Sequence, residues 1–98
     1  MAMKAIQLAP SDTVATVLDE TPAGAEVEVL RRGVHVRTLT AAEQIPFGFK
    51  IAVEAMAAGA PVIKYGHRIG IASKDIAEGE LVHVHNIEGA RGRGDLAD

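Results

Sequence analysis

The sequence contains no cysteine and no tryptophan, and its aromatics are one tyrosine and two phenylalanines. Without cysteine there is no disulfide framework, no thiolate nucleophile and no sulfur ligand for a metal. So few aromatic rings leave little to stack on nucleic-acid bases. The net charge of −3 provides no basic footprint for phosphates either, so a nucleic-acid partner is not expected. Long apolar runs are also missing. Pro10, Ser11 and Asp12 interrupt the N-terminal stretch before it could serve as a signal peptide or membrane span, and the chain reads as soluble and cytoplasmic.

What is present is aliphatic. Hydrophobic residues make up 48% of 98 positions, mostly Val, Ile, Leu and Ala, enough for one small core and one domain over 1–98. The β-branched content favours short strands over a deep ligand cavity. The stretch Val82-His-Val-His-Asn86 brings two imidazoles together. As a strand it would place His83 and His85 on one face and Val82 and Val84 on the buried other.

Along the chain, residues 1–8 read as an edge strand, followed by a turn at 9–12 and an apolar strand at 13–18. Glu26 to Leu39, folded at Arg32-Gly33, reads as a β-hairpin with Val34, Val36 and Leu39 near the core. Thr40-Ala-Ala-Glu43 has capping-box spacing, but Pro46 and Gly48 stop any helix, which makes this segment a loop. Further strands are expected at 50–53, 61–65, 67–72 and 81–85, with a single helix-like turn at 54–58. The core runs from about residue 6 to 87. The tail at 88–98, rich in glycine with Arg91 and Arg93, is expected to be mobile until it orders on a partner.

An internal repeat of twenty residues aligns Ile51 with Ile71, Ala52 with Ala72, Met56 with Ile76, Ala57 with Ala77, Gly59 with Gly79 and Val62 with Val82. A fainter copy fits Thr21-Pro-Ala-Gly24. The shared glycine implies a turn whose backbone angle other residues tolerate poorly. In this alignment Ile63 and Tyr65 stand where His83 and His85 stand, so the packing of the repeat does not require the histidines. Gly66 stands opposite Asn86, which marks Asn86 as a turn residue able to take a left-handed conformation.

Ile45-Pro-Phe-Gly-Phe-Lys-Ile-Ala, Gly-Ala-Pro-Val-Ile-Lys-Tyr-Gly at 59–66, Ile69-Gly-Ile-Ala, Asp75-Ile-Ala-Glu-Gly and Val82-His-Val-His-Asn together resemble the SAF domain of the altronate and galactarate dehydratase family. That family also contains the small subunit of sulfolactate sulfo-lyase. The resemblance extends from about Ile6 to Asp95 and implies a mostly β, SAF-type β-clip fold with little or no helix. It implies a metal-assisted β-elimination on a hydroxy acid, removing water or sulfite, with a divalent metal such as iron or manganese held mainly by a large dehydratase-type subunit. The ending at residue 98 is read as the separate-subunit form, which leaves room for a homo-oligomer when the chain is isolated. One departure is that the family has Gly-His-Lys where this sequence has Gly48-Phe49-Lys50.

Imidazole changes charge near neutrality and ligates borderline metals, so His83 and His85 are the candidates for proton transfer and metal ligation. Two ligands do not complete a metal shell, and the remainder is assigned to the partner chain. Lys50, Lys64 and Asn86 are the candidates for binding the carboxylate of a small hydroxy-acid substrate. Tyr65 reads as packing, and His35 and His67 as surface residues. Three functions stay open: a lyase small subunit that is inactive alone, a non-catalytic carboxylate-binding module, and an assembly module. The histidine pair counts against the last.

Overall fold

The computed structural model describes residues 2–89, which form strands and no helix. The strands are β1 (Met3–Ile6), β2 (Val14–Val17), β3 (Glu26–Arg31), β4 (Val34–Thr40), β5 (Lys50–Ala52), β6 (Pro61–Lys64), β7 (His67–Ala72), β8 (Leu81–Val82) and β9 (Ile87–Gly89). They make two sheets, ordered β4-β3-β1-β2-β5-β8 and β6-β7-β9. This is the all-β SAF architecture that the resemblance implies.

Two hairpins and four copies of one turn account for most of the chain path. Arg32-Gly33 and Tyr65-Gly66 take positive φ at both central positions, 56° and 77° in the first and 56° and 78° in the second, as a two-residue type I′ hairpin turn requires. Each hairpin carries a bulge, at Val29/Leu30 and at Val62/Ile63.

The repeated turns begin at Thr21, Ile45, Met56 and Ile76, and each has a glycine three residues on with φ between 84° and 91°. Their first residues pair across, Thr21 with Ile45 and Met56 with Ile76. Each pair is locked reciprocally. Gly59 N–H donates to Ala72 C=O and Ala72 N–H to Ala60 C=O, while Gly79 N–H donates to Ala52 C=O and Ala52 N–H to Glu80 C=O. Gly24 with Ala41 and Gly48 with Val17 repeat the arrangement in the first half of the chain. At Gly79 the choice of residue is forced twice over. Its φ is +90°, and an added Cβ would lie 2.1 Å from the Thr40 carbonyl oxygen.

Alternation along β2 and β5 divides the interior in two. Ala15, Val17 and Ile51 enter a cluster with Ala5, Val27, Val29, Leu39 and Ile45. Val14 and Ala52 enter the other, with Met56, Val62, Ala72, Ile76 and Val82. Burying a side chain of this size stabilises by roughly 1.5–3 kcal/mol, so these two short strands hold both clusters together.

Several expectations are corrected. β1 is interior, paired antiparallel with β2 and parallel with β3, because β3 arrives on its second side from more distant sequence. Val34 is 65% exposed at the hairpin end, whereas Val36 and Leu39 pack inward. Residues 54–58 form a bend and a bridge with no helical turn. Glu88 and Gly89, read as the start of the tail, continue β9 from Ile87 and pair with β7, and Arg91 and Arg93 lie outside the described residues.

The largest correction concerns 83–85, which is a turn. β8 pairs Leu81 with Ile51 and Val82 with Lys50, and there β5 ends because Phe49 closes a turn onto Pro46. With no partner strand left, the chain folds back. Val84 is 78% exposed, and the two histidines do not share a strand face.

Candidate functional site

The end of β5 places a cation where the fold does not neutralise it. Lys50 lies cross-strand from Val82 on one side and Thr16 on the other, on the face that carries Ala52 and Val82 into the second cluster. Directly opposed pairs of this kind bring Cβ atoms to about 5 Å. Desolvation, and then the charge of Lys64 at the end of β6, lower the Lys50 ammonium below the ordinary lysine range. Among the described residues the ion pairs are Lys4–Glu28, His35–Glu28 and Arg37–Glu78, so neither Lys50 nor Lys64 has a carboxylate partner. Lys64 Nζ lies 4.7 Å from the centre of the Tyr65 ring, which it caps as a cation over a π face. The Thr16 Oγ1 opposite Lys50 is buried without a hydrogen-bond partner.

Asn86 serves the fold. It is 2% exposed; its Oδ1 accepts the His83 N–H at 3.0 Å and its Nδ2 donates to the Leu81 carbonyl at 2.8 Å. The left-handed expectation does not hold, since the non-glycine residues of positive φ are Arg32 and Tyr65. The His83 ring tilts against Phe49 with centroids 4.8 Å apart, and Phe49 in turn packs on the first cluster. That is the opposite face of the chain from Lys50. His85 is exposed and lines an open pocket of about 310 Å³ with Glu43, Lys74, Asp75 and Glu80. Its carboxylates are committed to backbone: Glu43 accepts from Leu81 N–H, Asp75 from Ala58 N–H and Glu80 from Ala77 N–H. A larger groove, about 660 Å³, runs over Met56, Ala57, Ile76 and Ala77, but these apolar residues offer a substrate carboxylate nothing to bind.

The structure therefore leaves Lys50 and Lys64 without a carboxylate partner among the described residues and sets His83 and His85 in two different environments. Among the described residues no group of three or more His, Asp or Glu is placed to hold a metal ion, so these residues do not by themselves form the metal centre that the resemblance implies. His35 and His67 are exposed as expected, with His35 Nδ1 3.1 Å from Glu28 Oε2.

Asp12 and Thr13 were not singled out from the sequence. Asp12 Oδ2 accepts N–H groups from Leu8 and Ala9, and Oδ1 accepts from Gly66 at 2.8 Å. Burial works against this charge. Hydrogen bonds from Gly66, Ala9, Tyr65 and Leu8 outweigh it and hold the carboxyl below its ordinary value. The available signal was Pro-Ser-Asp, which announces a turn but not that its carboxylate reaches a hairpin 54 residues away.

Comparison with known proteins gives this geometry its context. The family model described as the altronate/galactarate dehydratase SAF domain matches residues 3–90. The chain belongs to this family. This SAF domain is 40% identical over 84 residues to the altronate dehydratase of Escherichia coli (strain K12), which covers 86% of the chain and 16% of that enzyme. It is 32% identical over 81 residues to the altronate dehydratase of Bacillus subtilis (strain 168), covering 83% of the chain and 15% of the enzyme. With the (2R)-sulfolactate sulfo-lyase subunit alpha of Paracoccus pantotrophus it shares 45% identity over 53 residues, which is 54% of the chain and 79% of the subunit. The SAF domain thus spans about a sixth of the length of the dehydratases it matches.

Proposed function

We propose that this SAF domain is the small, cytoplasmic component of a sugar-acid dehydratase, working with a larger catalytic chain to which it presents Lys50 and Lys64 as a carboxylate clamp. One observation carries this reading: Lys50 and Lys64, from different sheets, have no carboxylate partner among the described residues, and the charge of Lys64 acts on Lys50. The relatives named altronate dehydratase support the substrate class.

In β-elimination a base takes the proton next to the carboxylate, and the hydroxyl on the following carbon departs with a proton as water. The resulting enol becomes a 2-oxo acid. As the proton leaves, negative charge spreads onto the substrate carboxylate. Ammonium groups already in place stabilise that state more than the ground state. Lys50 and Lys64 would therefore influence turnover as well as binding. The exposed His85 is assigned the proton-transfer role, because His83 is packed on Phe49. The divalent metal is assigned to the larger chain.

A second reading, a sulfolactate-type sulfo-lyase subunit, is favoured by the 79% of the Paracoccus alpha subunit that the match covers. Reconstitution separates the two. The domain alone should be inactive, and the mixture with its large partner should form 2-oxo acids from altronate or galactarate and release no sulfite from sulfolactate. Sulfite release from sulfolactate would transfer the assignment to the second reading. Activity of the large chain unchanged by the domain would remove both. In the same mixture His85→Asn should lose turnover and His83→Asn should retain it.

A further inference from the structure

We infer that Asp12 and Thr13 are the positioning residues of the lysine pair, forming a clamp between the two sheets that fixes how close Lys64 stands to Lys50. This inference rests on the clamp reading of the two lysines. Lys50 belongs to β5 of the larger sheet and Lys64 to β6 of the smaller, so no strand ladder sets their separation. The connection runs through the two residues before β2. Thr13 N–H donates to the Ile63 carbonyl at 3.0 Å, and Thr13 Oγ1 accepts the Ile63 N–H at 3.0 Å.

On the other side of Lys64, Asp12 Oδ1 accepts the Gly66 N–H at 2.8 Å. Lys64 is thus held between Ile63, the residue before it, and Gly66, two residues after it. Asp12 is 2% exposed and Thr13 9%, so the clamp is shielded from competing water. Three residues beyond Thr13 on the same short segment, Thr16 pairs with Lys50. Each sheet therefore delivers one ammonium, and Asp12-Thr13 ties them together.

Desolvation first and the charge of Lys64 second lower the Lys50 ammonium, so its ionisation responds to how Lys64 is placed. The charge that acts on it is that of Lys64, since its cross-strand neighbours Thr16 and Val82 are uncharged. The experiment follows the Lys50 side-chain resonance through a pH titration of the full chain, together with binding of galactarate as probe. Thr13→Val removes the acceptor while keeping the shape. It should raise the Lys50 titration midpoint toward that of an ordinary lysine and weaken galactarate binding about 3- to 10-fold, the effect of one lost hydrogen bond. Thr13→Ser should restore both values. Asp12→Asn, a weaker acceptor of the same shape, supplies the same test if Thr13→Val does not fold.

A lower melting temperature with the Lys50 titration and galactarate binding unchanged would make both residues merely structural and overturn the inference. The clamp reading of the lysines fails separately. In that case the Lys50 titration still responds to Thr13→Val, but wild-type galactarate binding does not depend on Lys50.

Discussion

At the scale of single residues, charge and hydrogen-bond satisfaction make opposite demands at two neighbouring sites. Asp12 gives its carboxylate a full set of N–H donors. Because its folded value lies below the ordinary one, it contributes stability above the unfolded value, and this is lost as pH falls through the folded value. Asp12→Asn should therefore cost about 1–3 kcal/mol near neutral pH and progressively less in acid, as measured by chemical denaturation across a pH series. Thr16 is the reverse case, a buried hydroxyl with nothing to bond. Thr16→Val should raise stability by about 1 kcal/mol, whereas a loss would mean that the hydroxyl has a partner in solution.

At the scale of elements, the repeated turn is the feature that the sequence announces most clearly. Glycines 24, 59 and 79 are legible as obligatory turn positions. Gly48 completes the set but escapes a twenty-residue comparison, because its partner turn begins at Thr21, 24 residues before Ile45. The copies should differ in tolerance. Gly24→Ala meets no atom within 4 Å and should cost about 1–2 kcal/mol of backbone strain. Gly79→Ala should cost clearly more, about 3 kcal/mol or beyond, because the Thr40 carbonyl stands in the way. Equal melting-temperature losses for the two variants would contradict this account of the turn pairing.

The elements that misled are those decided by distant partners. Met3–Ile6 looks like an edge strand, yet β3 arrives alongside it from more than twenty residues away. Val82-His-Val-His alternates as a strand should, but β5 is too short to pair with it beyond Val82. Alternation reports which faces a strand would have, not whether a neighbour exists to make it one. Asn86 was legible as a turn residue; that its amide closes the turn at both ends was not.

At the scale of the whole molecule, family membership was legible from motifs spread over nearly the full chain, and the match over residues 3–90 bears it out. The site was legible only in part. Lys50 and Lys64 were named for carboxylate binding and stand without a carboxylate partner among the described residues, whereas His83 and His85, named as one strand face, fall on a turn in two different environments. The chain spans 16% of the Escherichia coli altronate dehydratase. The central claim is that this domain contributes the carboxylate clamp. Its most direct test is the steady-state kinetics of Lys50→Met in the mixture with the large partner. The account predicts a raised KM together with a lowered kcat, while the domain stays folded and still binds the larger chain. Wild-type kcat and KM in that mixture would contradict it.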